Sequence, residues 1–160
     1  MKSVNICGEQ VLVPSDRLNA LFLLRHTAGH FAADGITLKQ IIDWGCFVNQ
    51  AKDFDWAWLW SMAKEYNMHR FLSCMNAICV ENLGFRTERF VNKAYDKQLK
   101  ERVLAEIMNG VDAAPGASAI ERTKRWWQHR WKHSICYSDS MLSSFISSIR
   151  ANLMKTSVKE

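Results

Sequence analysis

Proline is nearly absent from this 160-residue chain, at two positions, and glycine occurs only seven times. So small a supply of turn formers leaves little room for long linkers or low-complexity tracts. No internal repeat is visible. No apolar run approaches the roughly 20 residues that a membrane-spanning helix needs, and the N-terminal MKSVNICGEQ lacks a signal-peptide core. A cytoplasmic chain with no membrane partner is therefore expected. The cysteines (Cys7, Cys46, Cys74, Cys79 and Cys136) are odd in number and show no CxxC spacing, which argues against a disulfide framework and a structural zinc site. Three of them fall inside apolar helical patterns, where cysteine behaves as a small buried hydrophobe. A GxSxG elbow, a phosphate-binding glycine loop and an HExxH helix are all missing. Nothing therefore supports nucleophilic catalysis, and no cofactor is expected.

What remains is an ordinary globular balance, 48% hydrophobic and 23% charged, in a length that fits one domain over residues 1–160. The net charge of +5 is unevenly placed. Residues 1–117 hold 13 basic and 13 acidic side chains, whereas residues 118–160 hold eight basic and three acidic ones. A local basic excess of this kind raises the possibility of a polyanion partner.

The pattern predicts a mostly helical, all-α fold of about seven helices in an irregular bundle behind a short N-terminal β-hairpin. The segments VNIC and QVLV read as two short strands around a Gly8-Glu9 turn, although they alternate poorly. From Ser15 to about Phe31 the sequence is apolar almost all round, the mark of a helix central to its bundle. Asp34-Gly35 ends it, and Thr37 with Gln40 forms a capping box ahead of a helix through Ile41, Trp44, Gly45 and Val48. Further helices are expected from the DFDW segment, from Met68 to Leu83, and from Thr87 to Met108. A loop at 111–117 precedes a second capping box (Ser118, Glu121) that opens a Trp-rich basic helix, and a last helix spans about Ser140 to Met154.

Four motifs bear on chemistry. His26 and His30, four apart, share a helix face with Asn19, so they form a polar seam on which Asp43 is the best further metal ligand. Hydrogen-bonded core histidines without metal are the expectation. Arg25 to His30 fits the R-x4-H spacing of helical HEPN-like ribonucleases, and Arg122 to His129 fits R-x6-H, but about one such match arises by chance in a chain of this composition. Asp53-Phe54-Asp55 has the DxD spacing of metal-binding carboxylates, yet it lies between two helices, with Asp55 placed to cap the second. The segment RTKRWWQHRWKH has five basic residues, three tryptophans, two histidines and no acid. On a helix it turns Trp127 and Trp131 to the core, while Arg122, Arg125, His129, Lys132 and His133 share a charged face. Trp126 lies among Arg122 and Arg130 for cation–π contact. A solvated basic face and a docking surface are both open readings.

Taken together, GEQVLVPSDRLNALFLLRHTAGHF, GITLKQIIDW, DFDWAWLWSMAKEYN and the late RWWQHRWKH resemble the C-terminal half of an uncharacterised nucleotidyltransferase family common in gut Bacteroidetes. The resemblance covers nearly the whole chain. It implies a helical region that follows a polymerase-β-like catalytic domain, whose Gly-Ser turn and acidic strand pair are not found here. On this reading residues 1–14 are the remnant strands of that domain, and His26, His30 and Asp43 match recurring positions of the helical region. The expected function is then a non-catalytic accessory domain that shapes a substrate pocket or docks a partner. The partner would be a nucleotidyltransferase domain, or a second copy of the chain joined through residues 4–13. The competing fate of the hairpin is to fold back over Leu18 and Phe22. The alternative function is a nucleic-acid-directed protein, such as a ribonuclease, that uses the basic Trp-rich helix.

Overall fold

A computed structural model describes residues 2–33, 35–51, 54–86, 88, 90, 94–110 and 129–137. Strands β1 (Lys2–Ile6) and β2 (Glu9–Val13) form an antiparallel hairpin, and the helices α1 (Asp16–Ala33), α2 (Leu38–Gln50), α3 (Trp56–Glu65), α4 (His69–Glu81) and α5 (Lys97–Met108) follow. Residues 129–136 are also helical. The chain is mostly helical behind a short hairpin, as the pattern predicts. The loop at 111–117, the Ser118–Glu121 box and the helix expected at 140–154 lie outside the described residues. Among the described residues no helix is long and apolar enough to cross a membrane.

The hairpin turn sits one residue earlier than expected. Cys7 and Gly8 both take positive φ, 53° and 91°, the pair of values a two-residue type I′ turn requires. Asn5 Oδ1 accepts the Gly8 N–H at 2.9 Å and holds the turn. The shift changes which residues pair across the hairpin but not the face each occupies, because moving the turn by one residue moves the pairing by two. In the observed register Val4 pairs with Val11 and Ile6 with Glu9, so Val4, Ile6, Val11 and Val13 share one face. The alternation is poor because Leu12 falls on the opposite face, with Ser3, Asn5 and Gln10.

The helix starts are set by side chains that take up orphan N–H groups. Ser15 Oγ accepts from Leu18 N. Gln40 Oε1 accepts from the Thr37 backbone at 3.0 Å and from its hydroxyl at 2.7 Å. Asp55 accepts from Trp58 N and Asp96 from Leu99 N, each at 3.0 Å. The last cap corrects an expectation: the helix predicted from Thr87 begins at Lys97, because Asp96 is the residue able to start it. The α1 exit uses Gly35 at φ 93°, whose N–H reaches His30 O at 2.7 Å.

The central helix is α4, not α1. Phe71, Leu72, Cys74, Met75, Asn76, Ala77, Ile78 and Cys79 are all buried, because α2, α3 and α5 each pack against this helix. α1 turns Ala20, Leu24, Thr27, Ala28 and Phe31 inward, but Leu18 and Phe22 stay 57% and 59% exposed. Phe31 stacks on Phe71 with ring centroids 4.9 Å apart.

The α2–α4 seam is the tightest. Trp44 Nε1 donates to Asn76 Oδ1 at 2.9 Å inside the core. Beside it, a Cβ on Gly45 would stand 2.6 Å from two ring carbons of Phe85. Asn67, at φ 57°, closes the α3–α4 turn in a conformation that asparagine tolerates better than most residues. Its side-chain amide donates to Ser134 O at 2.9 Å and Tyr137 O at 2.7 Å, which caps the carbonyl end of the 129–136 helix.

Two stability predictions follow from the seam. Asn76→Ala strands a buried indole N–H and opens a small void, so it should cost about 2–4 kcal/mol in urea denaturation. Gly45→Ala gains up to about 1 kcal/mol of helix propensity but drives a methyl group into the Phe85 ring. A net loss of about 1–2 kcal/mol is expected in the same measurement.

Candidate functional site

Two regions carry most of the side chains that the sequence singles out, the outer face of α1 and the stretch at 129–137. On α1, Leu18, Phe22, His26 and His30 recur every four residues, and each is exposed. The Phe22 and His26 rings stack at 5.3 Å with 13° between their planes. His30 meets His26 edge-on at 4.5 Å. Asn19 is half-buried beside them. The expectation of core histidines is therefore overturned: both imidazoles lie on the outside, because the inward arc of α1 is filled by Leu24, Ala28 and Phe31.

Asp43 does not join the seam. It is exposed on α2, with its carboxylate 3.5 Å from Lys39 Nζ one turn away. Among the described residues no three His, Cys, Asp or Glu side chains gather closely enough to hold a metal ion. Arg25 and His30 also take separate partners. The Arg25 guanidinium lies over the Tyr66 ring at 5.3 Å, whereas His30 leans on His26. Residues five apart on a helix point in different directions.

The basic segment is only partly an outer face. Arg122, Arg125 and Trp126 lie outside the described residues. Arg130 is exposed, and His129 and His133 are half-buried. Lys132, expected on the charged face, is buried at 5% exposure. Its ammonium forms an ion pair with Glu106 of α5 and stands 5.4 Å from the centre of the Phe31 ring. His129 Nδ1 approaches the same carboxylate at 3.5 Å. Trp131 packs against the core, edge-on to Phe31 at 5.8 Å. Its other contact is the Arg102 guanidinium, 3.9 Å from the ring centre. His133 lies 4.7 Å from the Tyr137 ring. Burial raises the Tyr137 phenol above its usual range, with Cys136 adding to the rise and Arg25 opposing it.

Some charged groups of weight were not visible beforehand. Lys100, 3% exposed, is held by Glu101 at 2.7 Å and Glu81 at 3.0 Å. Burial works against its charge, but the hydrogen bonds to Glu101 and Glu81 outweigh it and raise the ammonium above its usual range. Tyr95 donates to Glu81, and that bond, with the one from Lys100, holds the Glu81 carboxyl below its usual range. Arg17 pairs with Asp55 at 2.7 Å and lies over the Trp58 ring at 5.2 Å. The hydrogen bond from the Trp58 backbone, followed by that from Arg17, lowers the Asp55 carboxyl. These partners lie 14, 19 and 38 residues apart, except for Glu101, so local spacing carries little signal of them. Burial pushes the thiols of Cys74 and Cys79 up to about 12, so neither is a nucleophile at neutral pH.

A family model described as an uncharacterised nucleotidyltransferase matches residues 1–84. That span holds the hairpin, α1 to α4 and the turn at Gly84. The late Trp-rich segment lies beyond it. No curated protein and no solved structure matches the chain. The family match nonetheless takes in more than half of the sequence, including the whole α2–α4 seam except Phe85, and on that ground the chain belongs to the uncharacterised nucleotidyltransferase family.

Proposed function

We propose that the chain acts as a helical accessory domain of a nucleotidyltransferase, one that shapes a substrate pocket or docks a partner and performs no transfer itself. The observation that carries this reading is what its carboxylates are doing. Metal-assisted transfer relies on acidic side chains that converge on metal ions. The two strands supply one acid between them, Glu9. Asp55, the described half of the DxD spacing, is spent on the first turn of α3 and on Arg17. Asp53 lies outside the described residues.

The nucleic-acid reading has weaker support. Binding of a polyanion needs cations that face outward and neutralise phosphates. Lys132, expected on the charged face, turns inward to Glu106.

Titration calorimetry of the chain with ATP or CTP in the presence of magnesium should give no micromolar binding. Micromolar affinity would overturn the accessory reading.

Lys132→Ala separates the two views of the basic segment. A solvated surface charge contributes only tenths of a kcal/mol, whereas removing one member of a buried pair leaves the other uncompensated. The variant should lose about 2–3 kcal/mol of unfolding free energy. Salt-sensitive binding of nucleic acid by the unaltered chain at physiological ionic strength would favour the alternative.

A further inference from the structure

Among the described residues the hairpin and the outer face of α1 are two apolar surfaces left uncovered. Val4, Ile6 and Val11 are 36%, 53% and 38% exposed along one face of the hairpin. Leu18 and Phe22 are exposed on α1. Among the described residues no hairpin side chain belongs to the core or to the side chains packed against it, and the hairpin has no substantial packing against any helix. An isolated hairpin is at best marginally stable in water and needs a surface to lie on.

Its own helix is out of reach. Only Pro14 and Ser15 separate β2 from α1. Proline fixes its φ, and Ser15 is engaged in capping α1 through Leu18 N. That short, stiff link holds the hairpin away from the outer face of α1, and a short hinge of this kind favours exchange with a second molecule.

We infer that the occupant is a second copy of this chain, with each hairpin lying on the Leu18–His30 stripe of the other across a two-fold axis near Pro14. Length, charge and area agree. A five-residue strand spans about 17 Å, and the rise from Leu18 to His30 is about 18 Å. With the two α1 helices meeting N-terminus to N-terminus, the root of each hairpin falls on the partner helix near Leu18 and Phe22. The tip, where Ile6 pairs with Glu9, then falls near His26 and His30, so the one acid of the hairpin meets imidazoles. The exposed apolar side chains amount to several hundred Å² per chain, and doubling them by symmetry approaches the roughly 1,200 Å² at which specific interfaces begin. This inference does not rest on the accessory reading.

Light scattering on the full chain tests it, with Ile6→Glu on the hairpin and Phe22→Glu on the stripe. Both positions are exposed, so circular dichroism should show folded variants. The unaltered chain should run at twice the monomer mass. Each variant alone should raise the dissociation constant at least about a hundredfold, a tenfold loss in each of two arms. An equimolar mixture of the two should recover dimers, because one arm pairs an unaltered hairpin with an unaltered stripe. A monomeric unaltered chain at high concentration would overturn the proposal, as would a mixture that stays monomeric. A Phe22→Glu variant that remains dimeric would point instead to hairpins pairing edge to edge, and would also reject the exchange.

Discussion

The hydrogen bond from Trp44 Nε1 to Asn76 Oδ1 joins the two helices on which the rest of the bundle is assembled. Both groups are cut off from water, so each depends on the other to avoid the cost of an unpaired polar atom. The bond fixes the spacing of α2 against α4 and their rotation about each other. One turn away the Cys79 thiol points to Ile41 O at 3.5 Å, and one residue on, Gly45 leaves room for the Phe85 ring. A ring can occupy that space only where the helix lacks a Cβ. The chain then turns at Gly84, at φ 71°, to bring Phe85 onto the helix it has just packed against. A polar pair, a missing side chain and a left-handed turn therefore act on one seam, and α3 and α5 are placed by their contacts with α4.

Beyond that seam, buried charge sets the register. Lys100 draws Glu81 and Glu101 together at the join of α4 and α5, and Lys132 ties residues 129–137 to Glu106 on α5. A buried ammonium is tolerated only with its carboxylate at hand, so each lysine admits few positions for the element that carries it. The surplus of positive charge after residue 117 is thus partly internal. Counting lysines and arginines measures the charge of a segment, not the direction in which that charge faces.

The helical class, the hairpin and most helix boundaries were legible because they depend on local chemistry. Ser15, Thr37 with Gln40, and Asp55 announce helix starts within a few residues, and Gly35 and Gly110 mark ends. The error at Thr87 arose because Phe90 and Tyr95 continue an apolar pattern through a segment that Asp96 interrupts. The misplaced turn has a similar origin: Cys7 adopts a positive φ that only its neighbours, Asn5 and Gly8, make favourable. What could not be read was which of two apolar helices lies at the centre. Composition shows α1 as apolar all round, but burial depends on how many neighbours a helix acquires, and α4 acquires more. The position of His26 and His30 follows from that one fact, since they face outward only because α1 is peripheral.

The same fact explains why the candidate surface has mixed character. An apolar core gives little reason to carry His26 and His30, and a solvated face has little reason to carry Leu18 and Phe22. A stripe in which Phe22 stacks on His26 and His26 meets His30 suits neither environment by itself. It suits a contact that is apolar at one end and polar at the other. The hairpin is mixed in the same way, with Val4 and Val11 near its middle and Ile6 beside Glu9 at its tip. In the proposed exchange the stiff Pro14–Ser15 link keeps the two apart within one chain, and their complementarity would act between molecules. The core accounts for the fold of this protein, and the side chains that the core leaves over are the ones that the proposed dimer would use.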